Sequence, residues 1–201
     1  MTRWEIATVL LFLACAFTPR CSWAGTVRVT PDLVCQTQHA IRWREHAWTQ
    51  QQCQTRAAEF AVSGQRWGVE PTTLLAIAIV ESDLRPSAVR QDGLAWDVGL
   101  MGVRCVSSER APARGARCLA GPARGRSIQD LLVPAISIDL GAKILSTVHH
   151  GSLTAYNGGR REHGYTENVA GILAALGGIE VRAKSARIRK LIAQIAKGDI
   201  Q

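Results

Sequence analysis

The chain has 201 residues, 47% of them apolar, which is enough for one domain with a hydrophobic core. Its 18 glycines and 7 prolines are not in excess, and we find no internal repeat, so a disordered tail and a repeat array are both excluded. The formal charge of +8 fits an anionic partner such as a bacterial cell wall, an acidic membrane surface or nucleic acid.

The N-terminus has the three parts of a secretory signal. Arg3 supplies the positive end, Ile6 to Phe17 form the apolar stretch, and Ser22-Trp23-Ala24 place small residues at the cleavage positions. We expect export to the periplasm with cleavage after Ala24. Lipidation at Cys15 and an uncleaved anchor are the alternatives.

Cysteine usage agrees with export. Cleavage after Ala24 leaves an even set of cysteines, at positions 35, 53, 105 and 118. In an exported chain such a set indicates disulfides. We expect Cys35–Cys53 and Cys105–Cys118, because each closes a short loop. Zinc would need more closely spaced ligand pairs, so neither a metal nor a cofactor is expected.

The first half of the chain is predicted to be helical around one buried element. A short extended lead-in covers residues 25–32, one or two helices follow over 38–66, and 85–102 is expected to be loop. Between them the apolar run Leu74 to Val80 predicts a buried helix over residues 71–81. Pro71 suits its first turn, and Pro86 follows its end.

The second half begins with a stretch rich in Arg, Ala, Gly and Pro over residues 105–126. Helical spacing resumes afterwards and predicts helices over residues 128–144, 152–157, 165–176 and 180–196. The last of these is basic and amphipathic. No long alternating pattern typical of strands appears, so we expect a mainly α fold with minimal strand content.

Glu81 is the candidate catalytic residue. It stands at the end of the apolar run, where the chain is expected to leave the core at a cleft. Desolvation and the negative end of the helix dipole would both raise the pKa of such a carboxyl. A proton donor that is still loaded near neutral pH is what glycosidic cleavage requires. The alternative is a glutamate that merely ends a core helix at the surface.

Three further segments accompany Glu81-Ser82. They are Gly99-Leu100-Met101-Gly102, then Asp130-Leu131-Leu132 with Ile138 to Leu145 after it, and finally Ala155-Tyr156-Asn157-Gly158-Gly159. Together and in this order, the four motifs resemble the soluble lytic transglycosylase family, which has a goose-type-lysozyme-like fold. The resemblance covers about Val69 to Leu176. It implies a single lysozyme-like domain with an N-terminal helical segment (25–68), a catalytic core (69–176) and a basic C-terminal helix (177–201).

The resemblance also implies the roles of the site residues. Glu81 would be the only catalytic carboxylate. Ser82, Gly99, Leu100, Met101, Tyr156 and Asn157 would support it or bind the sugar. Two positions depart from the family. Gly102 stands where the family has Gln, and Asn168 stands where it often has an aromatic residue, which leaves Tyr165 as a substitute.

The implied reaction is cleavage of the bond between N-acetylmuramic acid and N-acetylglucosamine in peptidoglycan, with formation of a 1,6-anhydro ring. One rival is a hydrolytic muramidase, which would need Asp83, Asp92 or Asp97 as a second carboxylate. Another is a non-catalytic, wall-binding assembly factor.

The expected partners follow from export and from the same resemblance. We expect a monomer that acts on glycan strands and not on nucleic acid, because export argues against a nucleic-acid partner. In its small size and its export signal, the chain is similar to specialised members of the family that are attached to conjugation or secretion machineries and open the wall locally. Contact with a membrane surface is left open.

Overall fold

The computed structural model describes residues 27–41, 47–107, 115–156 and 164–177, together with positions 189, 190, 192, 193 and 195. Within these ranges the helices are α1 (Pro31–Ile41), α2 (Gln50–Trp67), α3 (Pro71–Ser82), α4 (Ile128–Leu131), α5 (Pro134–Lys143), α6 (Leu153–Tyr156) and α7 (Tyr165–Leu176). The strands are β1 (Val89–Asp92), β2 (Ala95–Val98) and β3 (Val103–Val106). The prediction of a mainly helical fold with little strand is confirmed.

Helix α3 is the centre of the fold. Every residue from Leu74 to Ile79 is fully buried, as expected for a helix that is apolar on all sides. Pro71 lies in its first turn, and Asp83 ends it in the left-handed conformation with φ 52°. Helices α2, α5 and α7 all pack against α3. The residues at its C-terminal end are therefore held from several sides.

The segment predicted as loop over 85–102 is partly sheet, and that expectation is wrong. Strands β1, β2 and β3 form an antiparallel meander in this order. Gly93 makes the first turn with φ 65°, and the segment Gly99–Gly102 makes the second. Four-residue strands carry too little alternation to be recognised by sequence pattern. The second turn lies close to the end of α3.

The helix predicted over 128–144 is divided. Ser127 and Asp130 form a capping box at the start of α4, whose C-cap residue is Leu132. Pro134 then lies in the first turn of α5. After Lys143 the chain continues as a π-helical segment, Ile144–Val148. Helix α5 packs against α2, α3 and β3, so it reaches both the core helix and the sheet.

Two disulfides are buried within this core. Cys35 and Cys53 join α1 to α2 with a Cα–Cα distance of 5.3 Å, and Cys105 and Cys118 join β3 to the following loop at 5.0 Å. This is the local pairing expected from the sequence. The extended lead-in was expected to run to Asp32, but α1 already begins at Pro31.

The C-terminal helix predicted over 180–196 and the signal segment lie largely or wholly outside the described residues. Of the predicted apolar stripe, Ile192 is buried in the core and Ile195 packs against it. No helix within the described ranges is long and apolar enough to cross a membrane.

Candidate active site

Glu81 lies in the last turn of α3 and is half-buried. The hydroxyl of Tyr165 donates a hydrogen bond of 2.7 Å to its Oε1. Tyr165 is the first residue of α7, and the packing of α7 against α3 brings the two side chains together across 84 positions of sequence. The carboxyl therefore has a defined direction, set by a neighbouring helix.

The turn between β2 and β3 approaches the same end of α3. Gly99 has φ 76°, and a methyl group there would collide with the carbonyl oxygen of Leu131. Only glycine combines this backbone conformation with so close an approach. The Gly99 amide donates to the Ala88 carbonyl at 2.8 Å, so both backbone and packing fix the start of the turn.

Helix α5 supports this turn through two small residues one helical turn apart. Ser137, fully buried, accepts a 3.1 Å hydrogen bond at Oγ from the Met101 amide. Gly141 leaves room for the Met101 side chain, since a methyl group at position 141 would lie 2.7 Å from Met101 Cβ and Cγ. The sequence motifs include Gly141 but do not indicate Ser137. A pair of small residues four positions apart in an apolar helix was the available signal.

Ser82 connects the core helix to the turn. Its side chain is buried, and its Oγ lies 2.9 Å from the carbonyl oxygens of both Ala78 and Leu100. The hydroxyl can thus bond its own helix or the turn. The side chains of Leu100 and Met101 are also buried. Their described contacts lie inside the protein, and direct contact of these residues with sugar stays a prediction.

Tyr156, at the end of α6, is a further residue of the site. Its hydroxyl donates a 2.9 Å hydrogen bond to the Met101 carbonyl oxygen. The structure therefore brings together Glu81, Tyr165, Tyr156 and the turn that contains Met101. Asn157, expected beside Tyr156, lies outside the described residues.

The pKa of each tyrosine is raised above its ordinary value. For Tyr156 the main cause is burial, followed by the negative charges of Glu81 and Asp97. For Tyr165 burial again comes first, followed by the charge of Glu81, the neighbouring Tyr156 and the hydrogen bond to Glu81. Both hydroxyls therefore stay protonated and act as hydrogen-bond donors in the folded protein.

A hydrolase would need one of three aspartates as a second carboxylate, and each of the three has an arginine near it. Arg104 binds Asp92 at 2.8 Å and Asp97 at 3.2 Å on the sheet. Asp83 lies 4.0 Å from Arg85 just beyond α3. Of the three, Asp97 is the one whose charge acts on Tyr156.

Among the described residues, no three His, Cys, Asp or Glu side chains group together in a way that could hold a metal ion. The described part of the site brings together one carboxyl group, that of Glu81, and the hydroxyls of Tyr156 and Tyr165.

Comparison with known proteins shows the family of the chain. Residues 59–173, more than half of the chain, match the family model described as "Transglycosylase SLT domain", and the chain belongs to this family. A curated relative, the endo-type membrane-bound lytic murein transglycosylase A of Citrobacter koseri, is 34% identical over 95 residues. That match covers 47% of this chain and 43% of the relative, so the chain spans less than half of that protein's length. No solved structure matches the chain.

Proposed function

We propose that this protein is a peptidoglycan lytic transglycosylase in which Glu81 is the single acid and base. The observation that carries the proposal is the placement of Glu81 at the end of buried α3, with its Oε1 held by Tyr165 at 2.7 Å. Family membership and the name of the curated relative support the same activity.

The proposed reaction uses the substrate's own nucleophile. Glu81 gives its proton to the glycosidic oxygen, and the bond from that oxygen to the anomeric carbon of N-acetylmuramic acid breaks. The C6 hydroxyl oxygen of the same sugar then bonds to that carbon, and its proton returns to Glu81. An intramolecular attack needs no second carboxylate, because proximity replaces it. This fits the engagement of Asp92 and Asp97 by Arg104.

The test is digestion of purified peptidoglycan with the wild type and with Glu81→Gln, with the fragments identified by mass spectrometry. Loss of a general acid or base costs about 10²–10⁴-fold in rate. We expect anhydro-muramoyl products from the wild type and a loss of that size in the variant. The matched control is Glu70→Gln, since Glu70 is exposed at the opposite end of α3 and should keep full activity.

Other outcomes identify the rivals. Reducing-end products without the anhydro ring would indicate a muramidase and direct attention to Asp97, whose charge acts on Tyr156. No products from either protein, with binding to the wall retained, would favour an assembly factor. Glu81→Gln with wild-type rates would exclude Glu81 as the acid.

We also propose a location and a purpose, which rest on sequence alone. The segment 1–24 is proposed to direct export to the periplasm, and local wall opening for a conjugation or secretion machinery is the proposed purpose. The proposed export is tested by the mass of the protein in a periplasmic extract. Cleavage after Ala24 makes Gly25 the N-terminal residue of the mature protein, so the expected mass is that of residues 25–201.

A further inference from the structure

Gly102 lies directly against the proposed catalytic carboxyl. It ends the turn between β2 and β3, its φ is 57°, and its amide donates to the Gly99 carbonyl at 3.2 Å. A methyl group at position 102 would lie 2.6 Å from Oε2 of Glu81, 3.0 Å from its Cδ and 3.1 Å from its Cβ. The Glu81 side chain thus occupies the space that a side chain at position 102 would enter.

The two oxygens of Glu81 therefore have separate neighbours. Tyr165 donates to Oε1, whereas the open space of Gly102 accommodates Oε2. A side chain at position 102 could be fitted only by moving the carboxyl, because the turn itself is tied to Ser137 and to the Ala88 carbonyl. Moving the carboxyl would lengthen or break its bond to Tyr165.

We propose that Gly102 is a positioning residue whose missing side chain sets the direction of the Glu81 carboxyl. It follows that Gln at this position, the residue of the family motif, would lower the rate of catalysis by this protein and would not raise it. The effect on rate rests on the proposed function of Glu81. The placement of the carboxyl does not depend on that function.

The chain offers a matched control in Gly93. It lies in the neighbouring turn of the same sheet with φ 65°, and a methyl group there would meet nothing within 4 Å. Replacement by Ala strains the backbone at either position, because each needs the left-handed conformation. Only the variant at position 102 adds a contact with Glu81, so the difference between the variants isolates that contact.

The experiment compares Gly102→Ala, Gly102→Gln and Gly93→Ala in steady-state digestion of soluble glycan strands. A displacement of about 1 Å can cost on the order of 10²-fold in rate. We expect both variants at position 102 to lose about tenfold or more in kcat with KM within about twofold. Gly93→Ala should keep the kcat of the wild type. Equal kcat in Gly102→Ala and Gly93→Ala would overturn the proposal.

A second measurement does not need activity. In protein labelled with ¹³C at the glutamate carboxyl carbons, the Glu81 signal, assigned with Glu81→Gln, should move in Gly102→Ala and stay in place in Gly93→Ala. If the wild type is inactive but the signal moves, the proposed function fails and the placement stands. An unmoved signal would overturn the placement.

A double variant serves as the control for loss of folding. If Gly102→Ala does not fold, Glu81→Ala/Gly102→Ala should fold better, because removing the carboxyl relieves the contacts of the new methyl group with Oε2 and Cδ of Glu81. A double variant that folds no better than Gly102→Ala would mean that the carboxyl is not what position 102 must accommodate, and the proposal would be wrong.

Discussion

At the scale of single residues, the site contains two tyrosine hydroxyls that donate hydrogen bonds, that of Tyr165 to Glu81 and that of Tyr156 to the Met101 carbonyl. Tyr156 and Tyr165 are the only tyrosines of the chain. The pKa of each is raised, first by burial and then by the charge of Glu81. An absorbance signal from tyrosinate therefore reports on these two side chains and on no others.

We predict that the folded protein shows no tyrosinate absorbance near pH 10, where an exposed tyrosine ionises. Above that pH the unfolded chain releases protons that the folded chain keeps. Stability is therefore fully present below about pH 10 and falls as the pH rises, by about 1.4 kcal/mol per pH unit for each tyrosine. Absorbance at alkaline pH and urea unfolding across the same range measure both effects.

Tyr165→Phe provides the comparison for this prediction. It removes one of the two titrating groups, so the loss of stability per pH unit above pH 10 should fall by about half. Ionisation of either tyrosine at its ordinary pKa in the folded wild type would contradict the burial described for the site.

The residue contacts of the site were only partly accessible from the sequence. Glu81 was indicated by its place at the end of an apolar run, and Tyr165 was named as a substitute for an aromatic residue of the family. Their hydrogen bond spans 84 positions, so it depends on the packing of α7 on α3, which no local pattern encodes. The sequence identifies Gly102 only as a departure from the Gln of the family. Its proximity to Glu81 depends on the path of a turn that was not predicted as part of a sheet.

At the scale of elements, helix α5 and the turn between β2 and β3 form one unit. We predict that Gly141→Ala destabilises the protein by about 1–3 kcal/mol, because the new methyl group would overlap the buried Met101. The sign of the change in the free energy of unfolding is informative, because replacing Gly by Ala in an unhindered helix stabilises a protein by about 0.5–1 kcal/mol. Urea unfolding measures it, and the rate of glycan cleavage should fall as well.

Gly115→Ala is the control for this substitution. A methyl group at position 115 would meet nothing within 4 Å, so the free energy of unfolding should stay within about 0.5 kcal/mol of the wild type. A stabilised Gly141→Ala variant would show that Met101 can move away, and the turn would then be less tightly supported than its contacts indicate.

Helices were predicted well from the sequence and strands were not. The predicted helix over 165–176 agrees with α7. The predicted helix over 71–81 has the same start as α3, and its predicted end is one residue short of the observed end at Ser82. The bounds of these helices follow from local signals in the sequence, namely the long apolar periodicity, Pro71 and the glycines after α7. Strand β1 is almost entirely exposed, so it has no apolar face to reveal it. The π-helical segment after α5 shifts hydrogen bonding without changing composition, and periodicity cannot show it.

At the scale of the whole molecule, two covalent links reinforce a modest core. We predict that Cys35→Ala/Cys53→Ala lowers the free energy of unfolding by about 3 kcal/mol, the loop-closure value for a separation of 18 residues. Alanine is chosen because both cysteines are buried and a hydroxyl there would be desolvated. Urea unfolding without reductant measures the loss. An unchanged midpoint would show that packing between α1 and α2 already fixes the two helices.

The burial of α3 also decides which part of the molecule can move during turnover. A helix enclosed by α2, α5 and α7 opens only when most of the domain opens, so it belongs to its slowest-moving part. Glu81 is attached to this stationary element. Under the proposed function, any adjustment that admits or releases a glycan strand must then come from elements other than α3, and the proposed acid keeps its place in the core.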